Sequence, residues 1–322
     1  MWFTKKKTLS DEQATALNEQ AWAAFREQDL DTALECFQTL AKACPADPRW
    51  MNGVGAVSLA REDRVGARRH FQKAAEHDYP GSHYNLGIMA YQEDDLDAAR
   101  RYFQKAAEHD YPGSHYNLGT MAFQEGDHDA ARQYFQKAAA EHDCPRSHFY
   151  LGSMAYQDGD YDAAVEHLDN AVRHDHPEAL NLLGDVHLHA ERYPQAEQAY
   201  RRAAELGNFD GYNNLGLLYL QLEDYQQAKQ ALLQALQSDH VYAQHNLAVA
   251  YHRLGELEAA ERWYLISFSQ HGNLQSLENL GHVYGDSGRE VEGRALVAAS
   301  DKLYEDQPLN EYEQALIDRL LA

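Results

Sequence analysis

From residue 79 onward the chain writes one pattern of apolar and polar positions twice. Residues 79–110 read YPGSHYNLGIMAYQEDDLDAARRYFQKAAEHD, and residues 111–143 read YPGSHYNLGTMAFQEGDHDAARQYFQKAAAEHD, with one extra alanine near the end. In the first copy Leu86, Gly87 and Ala90 recur at helical spacing and predict a helix over about 81–92. Ala98, Ala99, Tyr102, Phe103 and Ala106 make a second helical stripe. The turn between them is acidic (Glu93, Asp94, Asp95). With Glu125-Gly126-Asp127 and Asp158-Gly159-Asp160, it reads as a set of helix N-caps. Pro112 opens the next copy, because proline suits a first helical turn and blocks continuation of the preceding helix.

The unit extends along the chain. Taking the glycine of Asn85-Leu86-Gly87 as a marker, the same slot holds Ala21, Gly55, Gly87, Gly119, Gly152, Gly184, Gly216, Ala248 and Gly281, spaced by 32 to 34 residues. Nine helix pairs with no linker between them predict a stacked-repeat protein, where a length of 322 residues alone suggests two domains. A mid-helix glycine costs ~1 kcal/mol relative to alanine and is tolerated where a neighbour must come close. Gly87 and Ala99 are therefore expected to let the helices of a unit nest, with Phe71, Phe103, Phe135, Leu168 and Tyr200 filling the space between units. The first unit is degenerate but keeps an apolar face in Trp22, Phe25 and Phe37. The expected divisions are a tail over 1–10, the array over 11–303, and a linker with a capping helix over 304–322. That last helix is read as Leu309 to Leu321, with Tyr312, Ala315, Leu316 and Leu320 on one face.

An alanine twelve residues after the marker and an aromatic four further on, as in Gly87, Ala99 and Phe103, resemble the tetratricopeptide repeat. Asn214-Leu215-Gly216-Leu217-Leu218-Tyr219 with Ala228 follows that pattern closely. Ala203-Ala204-Glu205-Leu206-Gly207-Asn208 and Gln136-Lys137-Ala138-Ala139 are similar to the related Sel1-like repeat. The departures are Ala90, Ala122 and Ala155 in place of the usual tyrosine, and a final-turn proline that is clear only at Cys44-Pro45. The resemblance covers about 11–303. It implies an all-α fold: a right-handed α-solenoid of about nine helix-turn-helix repeats plus a C-terminal capping helix.

The resemblance further implies that the first helix of each pair lines a concave groove. Positions three before, one after and four after the marker share one helical stripe. They read Tyr84, Ile88, Tyr91; Tyr116, Thr120, Phe123; Phe149, Ser153, Tyr156. The character then changes: Asn181, Asp185, Leu188; Asn213, Leu217, Leu220; His245, Val249, His252; Glu278, His282, Gly285. Gln92, Gln124 and Gln157 follow the aromatic sets. The expected groove is thus an aromatic ladder in its middle, because polar-tipped rings supply large rigid contact area. Asp185, Asn213, His245 and Asn181 continue it, and the two asparagines would hold a peptide backbone. A second reading has the same rings packing between adjacent first helices. The stripe has no lysine, so capture of a C-terminal carboxylate is not expected.

Composition changes the picture of partners. Lys+Arg number 28 against 51 Asp+Glu, a net charge of −23. Such a chain is a poor wrapper of nucleic acid and is repelled by anionic lipid, whereas a basic protein or peptide is attracted. No window approaches the roughly eighteen apolar residues of a membrane span. Lys5, Lys6 and Lys7 precede no apolar run, so no signal peptide is expected. Cys36, Cys44 and Cys144 match no zinc or redox spacing and suggest a cytoplasmic location.

The 18 histidines include two repeated slots: His83, His115 and His148 in the first helix, and His77, His109, His142, His174 and His271 at the end of the second. An imidazole is favourable at a helix C-terminus. Residues a whole unit apart cannot converge on one ion, and His187 and His189 point to different faces, so no metal is expected. No catalytic pair, phosphate-cradling loop or nucleophile elbow stands out, so neither enzyme nor cofactor is expected. The expected function is a non-catalytic scaffold or adaptor that binds a protein or peptide. The alternatives are an acidic immunity- or antitoxin-type inhibitor of a basic protein, and a self-assembling, homo-oligomeric structural repeat protein.

Overall fold

A computed structural model of the chain describes residues 9–173, 176–238 and 241–321. Lys5, Lys6, Lys7 and His174 lie outside the described residues. The helices succeed one another in pairs. Repeat 1 is α1 (Asp11–Arg26) and α2 (Leu30–Ala43); repeat 2 is α3 (Pro48–Ala60) and α4 (Arg64–Ala75); repeat 3 is α5 (Pro80–Gln92) and α6 (Leu96–Ala107). Repeat 4 is α7 (Ser114–Gln124) and α8 (His128–His142); repeat 5 is α9 (Pro145–Gln157) and α10 (Tyr161–Val172); repeat 6 is α11 (Pro177–His189) and α12 (Tyr193–Glu205). Repeat 7 is α13 (Asp210–Gln221) and α14 (Tyr225–Ala235); repeat 8 is α15 (Val241–Arg253) and α16 (Leu257–His271); repeat 9 is α17 (Leu274–Asp286) and α18 (Glu290–Tyr304). A last helix, α19 (Glu311–Leu321), follows alone. No strand occurs among the described residues, and the chain is an all-α helix-pair solenoid. It packs as two compact units, Met1–Leu151 and Gly152–Ala322.

The acidic turns work as their residues require. In repeat 3 Asp94 takes a left-handed φ of 62° and Asp95 then caps α6, its carboxylate accepting the Ala98 N–H at 3.0 Å. Asp127 and Asp160 cap α8 and α10 in the same way, each after a glycine with φ of 79°.

The marker glycines let the two helices of a repeat nest, and the side chain they admit comes from the second helix. A Cβ on Gly87 would lie 2.7 Å from the Phe103 ring, and one on Gly119 would lie 2.7 Å from Phe135. The glycine therefore makes a flat bed for the side chain sixteen residues on, in the second helix of the same repeat. The same relation holds between Gly55 and Phe71 in the first unit, and between Gly152 and Leu168, Gly184 and Tyr200, and Gly216 and Leu232 in the second. These side chains are fully buried. Phe103 also joins Leu118 and Met121 of the following repeat in one cluster, so it fills the space between repeats 3 and 4 as well.

The terminal helix corrects an expectation. It begins at Glu311 rather than Leu309, and Tyr312 is 51% exposed with Ala315 also in solvent. The buried face is Glu313, Leu316 and Ile317, with Leu320 half-buried. A reciprocal cap explains the rotation. The Glu313 carboxylate accepts the Asn310 N–H while the Asn310 side chain accepts the Glu313 N–H, both at 2.9 Å. Lys302 donates to the same carboxylate at 2.7 Å.

Candidate binding faces of the first helices

In the first unit Tyr84, Ile88, Tyr91, Tyr116, Thr120, Phe123 and Phe149 are half-buried, and Gln92 and Gln124 are exposed. Each ring touches a neighbour with part of its surface. Tyr84 lies 5.8 Å from Phe103 and 5.1 Å from Tyr111 between ring centroids. Phe123 lies 5.4 Å from Tyr150, which stacks flat on Phe135 at 4.6 Å and is 6.2 Å from Tyr116. The Tyr91 hydroxyl donates to Gln124 Oε1 at 2.8 Å, tying two expected groove residues across adjacent first helices. Thr120 turns its hydroxyl back to the Tyr116 carbonyl at 3.0 Å.

Tyr150 is the residue that reading the stripe missed. It occupies the slot two before the marker, where repeats 3 and 4 have Asn85 and Asn117. The break from Asn-Leu-Gly to Tyr150-Leu151-Gly152 was its signal.

In the second unit Ser153 and Tyr156 are half-buried and Gln157 is exposed. The Tyr156 hydroxyl and His189 Nδ1 are hydrogen-bonded at 3.1 Å, and the Tyr156 ring is 6.1 Å from Tyr161. Asp185 lies beside this group and accepts the Tyr200 hydroxyl at 2.6 Å. Burial pushes the Asp185 carboxyl above its usual range, and the donated hydrogen bond only partly offsets this. The Asn181 side-chain carbonyl is buried without a partner.

Asn213 and His245 are turned into the stack. Asn213 accepts from Asn246 at 3.0 Å, and His245 Nδ1 meets the Ser276 hydroxyl at 2.8 Å. Asn85 and Asn52 make the same kind of clamp in the first unit at 3.0 Å.

The repeated first-helix histidines are buried. Burial, and next the Lys105 charge, hold His83 below the ordinary imidazole range. His115 Nδ1 pairs with Glu141 at 2.8 Å. Among the described residues no group of three or more His, Cys, Asp or Glu side chains could hold a metal ion. No described helix is long and apolar enough to cross a membrane.

A sequence model of the tetratricopeptide repeat matches residues 18–83, 59–115, 84–146, 116–173, 151–211 and 213–267. Among solved structures the chain is similar to c5321, a protective antigen present in uropathogenic Escherichia coli strains and displaying an SLR fold. The identity is 21%, over 89% of this chain and 76% of that one, with a TM-score of 0.69. It is also similar to a Sel1 repeat protein from Oxalobacter formigenes, at 23% identity over 68% of this chain and 99% of that one, with a TM-score of 0.55. At these identities the likeness is one of fold. No curated protein matches the sequence.

Proposed function

The chain belongs to the tetratricopeptide repeat family, and on that premise we propose that it is a non-catalytic scaffold whose first-helix faces hold a protein or peptide segment. Proteins built from such repeats generally act as protein-binding scaffolds. The reading rests on the half-buried rings Tyr84, Tyr91, Tyr116 and Phe123 in one unit and Tyr156 in the other. Each is held by a neighbour and still reaches solvent, so little side-chain freedom remains to be lost on binding. Gln92, Gln124 and Gln157 stand exposed beside them as amide partners for a peptide backbone.

Asp185 narrows the partner. Its carboxylate is half-buried beside Tyr156, where a lysine or arginine side chain would gain a charge-assisted hydrogen bond and a ring face together. A net charge of −23 favours the same basic partner. The cysteines are unpaired, which suits a reducing, cytoplasmic setting.

Peptides selected by display on the full chain test the reading. Their affinity should fall about tenfold or more with Asp185→Asn, the order expected for a lost charge-assisted contact. It should also fall with Tyr91→Ala, Phe123→Ala and Tyr156→Ala combined in a protein that remains helical. Selected peptides that bind this triple variant as tightly as the wild type would show that the first-helix faces are not the site.

A further inference from the structure

Repeat 9 leaves open a groove that repeat 3 keeps covered. In repeat 3 the next first helix, α7, lies along α6 and reaches α5 with its side chains. Its Leu118 and Met121 close over Ala99 and Phe103, with Ile88, Tyr91 and Ala107 packed against the same cluster. Gln124 accepts from Tyr91, and Glu125 pairs with Arg100. Counted from the marker glycines, repeat 9 has Gly285 in place of Tyr91, Val297 in place of Phe103, Asp301 in place of Ala107 and Arg294 in place of Arg100. The two largest floor side chains have shrunk, and an open cleft of about 480 Å³ remains. Gly281, Gly285, Gly293 and Val297 line its floor, with Asp286, Glu290, Arg294 and Asp301 around them.

The chain's own next helix does not fill this cleft. α19 packs to one side of it. Leu316 and Ile317 share a cluster with Leu296 and Ala299, Glu313 binds Lys302 and Arg319 pairs with Glu292. No residue of α19 lines the cleft.

We propose that the α17–α18 cleft is the docking site for an amphipathic helix of a basic partner protein, laid on repeat 9 as α7 lies on repeat 3. The shape follows from the chain itself, since the equivalent groove receives a helix in repeat 3. Because Gly285 and Val297 leave the floor hollow, the incoming helix must bring the bulk, as a leucine or phenylalanine facing inward. The charge follows from the rim. Three carboxylates stand against one arginine, and Asp286 already draws the imidazole of His252 to 2.7 Å. Lysines or arginines flanking the apolar anchor complement Glu290 and Asp301, which are exposed. A second copy of this chain, also at −23, brings the wrong sign. The site is separate from the aromatic first-helix faces, and either can fail without the other.

The probe is a fluorescein-labelled amphipathic helical peptide of about four turns. It carries leucine and phenylalanine on one face and lysines on the flanks, and its anisotropy is followed on adding the full chain. A side chain begun at Gly285 meets nothing within 4 Å, so Gly285→Trp fills the cleft while leaving the helix pair in place, with circular dichroism as the check. This variant should weaken binding about tenfold or more, as loss of an anchor pocket does. Glu290→Lys with Asp301→Lys should weaken it and flatten its salt dependence. Tyr312→Ala, on the outward face of α19, should leave it unchanged. Equal binding by wild type and Gly285→Trp, no binding of the lysine-flanked peptide, or equal binding of a glutamate-flanked version would each overturn the proposal. A wild-type dimer in sedimentation that Gly285→Trp abolishes would give the cleft to a second copy and also overturn it.

Discussion

Repeats 3 and 4 in the first unit and repeats 7 and 9 in the second bury their aromatic rings from opposite helices. In repeats 3 and 4 the position three after the marker is Ala90 or Ala122, and the large ring comes from the second helix. Tyr102 stacks on His83 and Tyr134 on His115, each with centroids 6.3 Å apart. In repeats 7 and 9 the ring sits on the first helix as Tyr219 or Tyr284, and the second helix carries Ala231 or Leu296 where repeats 3 and 4 have tyrosine. Both phenols donate at 2.8 Å to a carboxylate of the preceding second helix, Glu197 or Glu261. Arg201 binds the Tyr219 oxygen at 3.1 Å, and the Arg289 guanidinium lies 3.4 Å over the Tyr284 ring. Burial first, then the carboxylate, pushes each hydroxyl up to about 12. One packing problem thus has two solutions. The first unit buries imidazole beneath a ring, and the second joins successive repeats through phenol, carboxylate and guanidinium.

The largest effect should come from the feature both regions share, a bulky side chain on a glycine bed. Phe103→Ala should cost about 3–5 kcal/mol and Leu168→Ala about 2–5 kcal/mol, because each empties a fully buried site. Repeats touch mainly their neighbours, so hydrogen exchange should rise around the altered repeat and fade along the array. A uniform rise through the whole chain would mean that the two units unfold as one body.

A smaller effect separates the imidazole solution from the phenol one. Burial holds the folded His83 imidazole below the 6.5 of the unfolded chain, and the charges of Lys105 and His109 act in the same direction. Asp78 Oδ1 stands 3.6 Å from Nε2 and offsets this in part. Below 6.5 the unfolded state therefore binds more protons than the folded one. The contribution is fully present above that value and is lost as the pH falls toward the lower folded value. Urea midpoints should drop between about pH 7.5 and about pH 5.5, and His83→Asn should flatten that drop. An unchanged slope in the variant would remove His83 from the account.

Much of this architecture was legible in the residues themselves. The 32- to 34-residue spacing, the Asp95, Asp127 and Asp160 caps and the buried phenylalanines each follow from local chemistry that repeats. The face of α19 was misread because an apolar stripe ranked Tyr312 above Glu313. The Asn310-x-x-Glu313 box that buries the carboxylate was there to be seen. The purpose of Gly87, close approach of the paired helix, is legible too, but periodicity shows only that a glycine faces a neighbour, not that Phe103 lies across it. On the first-helix faces, the lateral contacts of Asn213 with Asn246 and of His245 with Ser276 depend on the register between repeats. No single helix encodes that register.

The exchange of aromatic positions admits a direct test with the smallest expected signal. A cleft of about 430 Å³ in repeat 7 is lined by Tyr212, Leu215, Tyr219, Ala231 and Arg201 among others. Tyr212 stands in the histidine slot of repeats 3 and 4, and Ala231 in the slot of Tyr102 and Tyr134. If the ring has moved from one helix to the other, Ala231→Tyr should be worth more once Tyr219 has been cut back. Tyr219→Ala alone should cost about 3 kcal/mol. Adding Ala231→Tyr should recover about 1 kcal/mol of that loss, while in the wild-type background the same change should be neutral or destabilising through overpacking. The coupling energy from four urea melts carries the answer. Equal effects of Ala231→Tyr in both backgrounds would mean that the two tyrosine positions fill separate spaces, and the likeness between the two units would then stop at the glycine and the side chain above it.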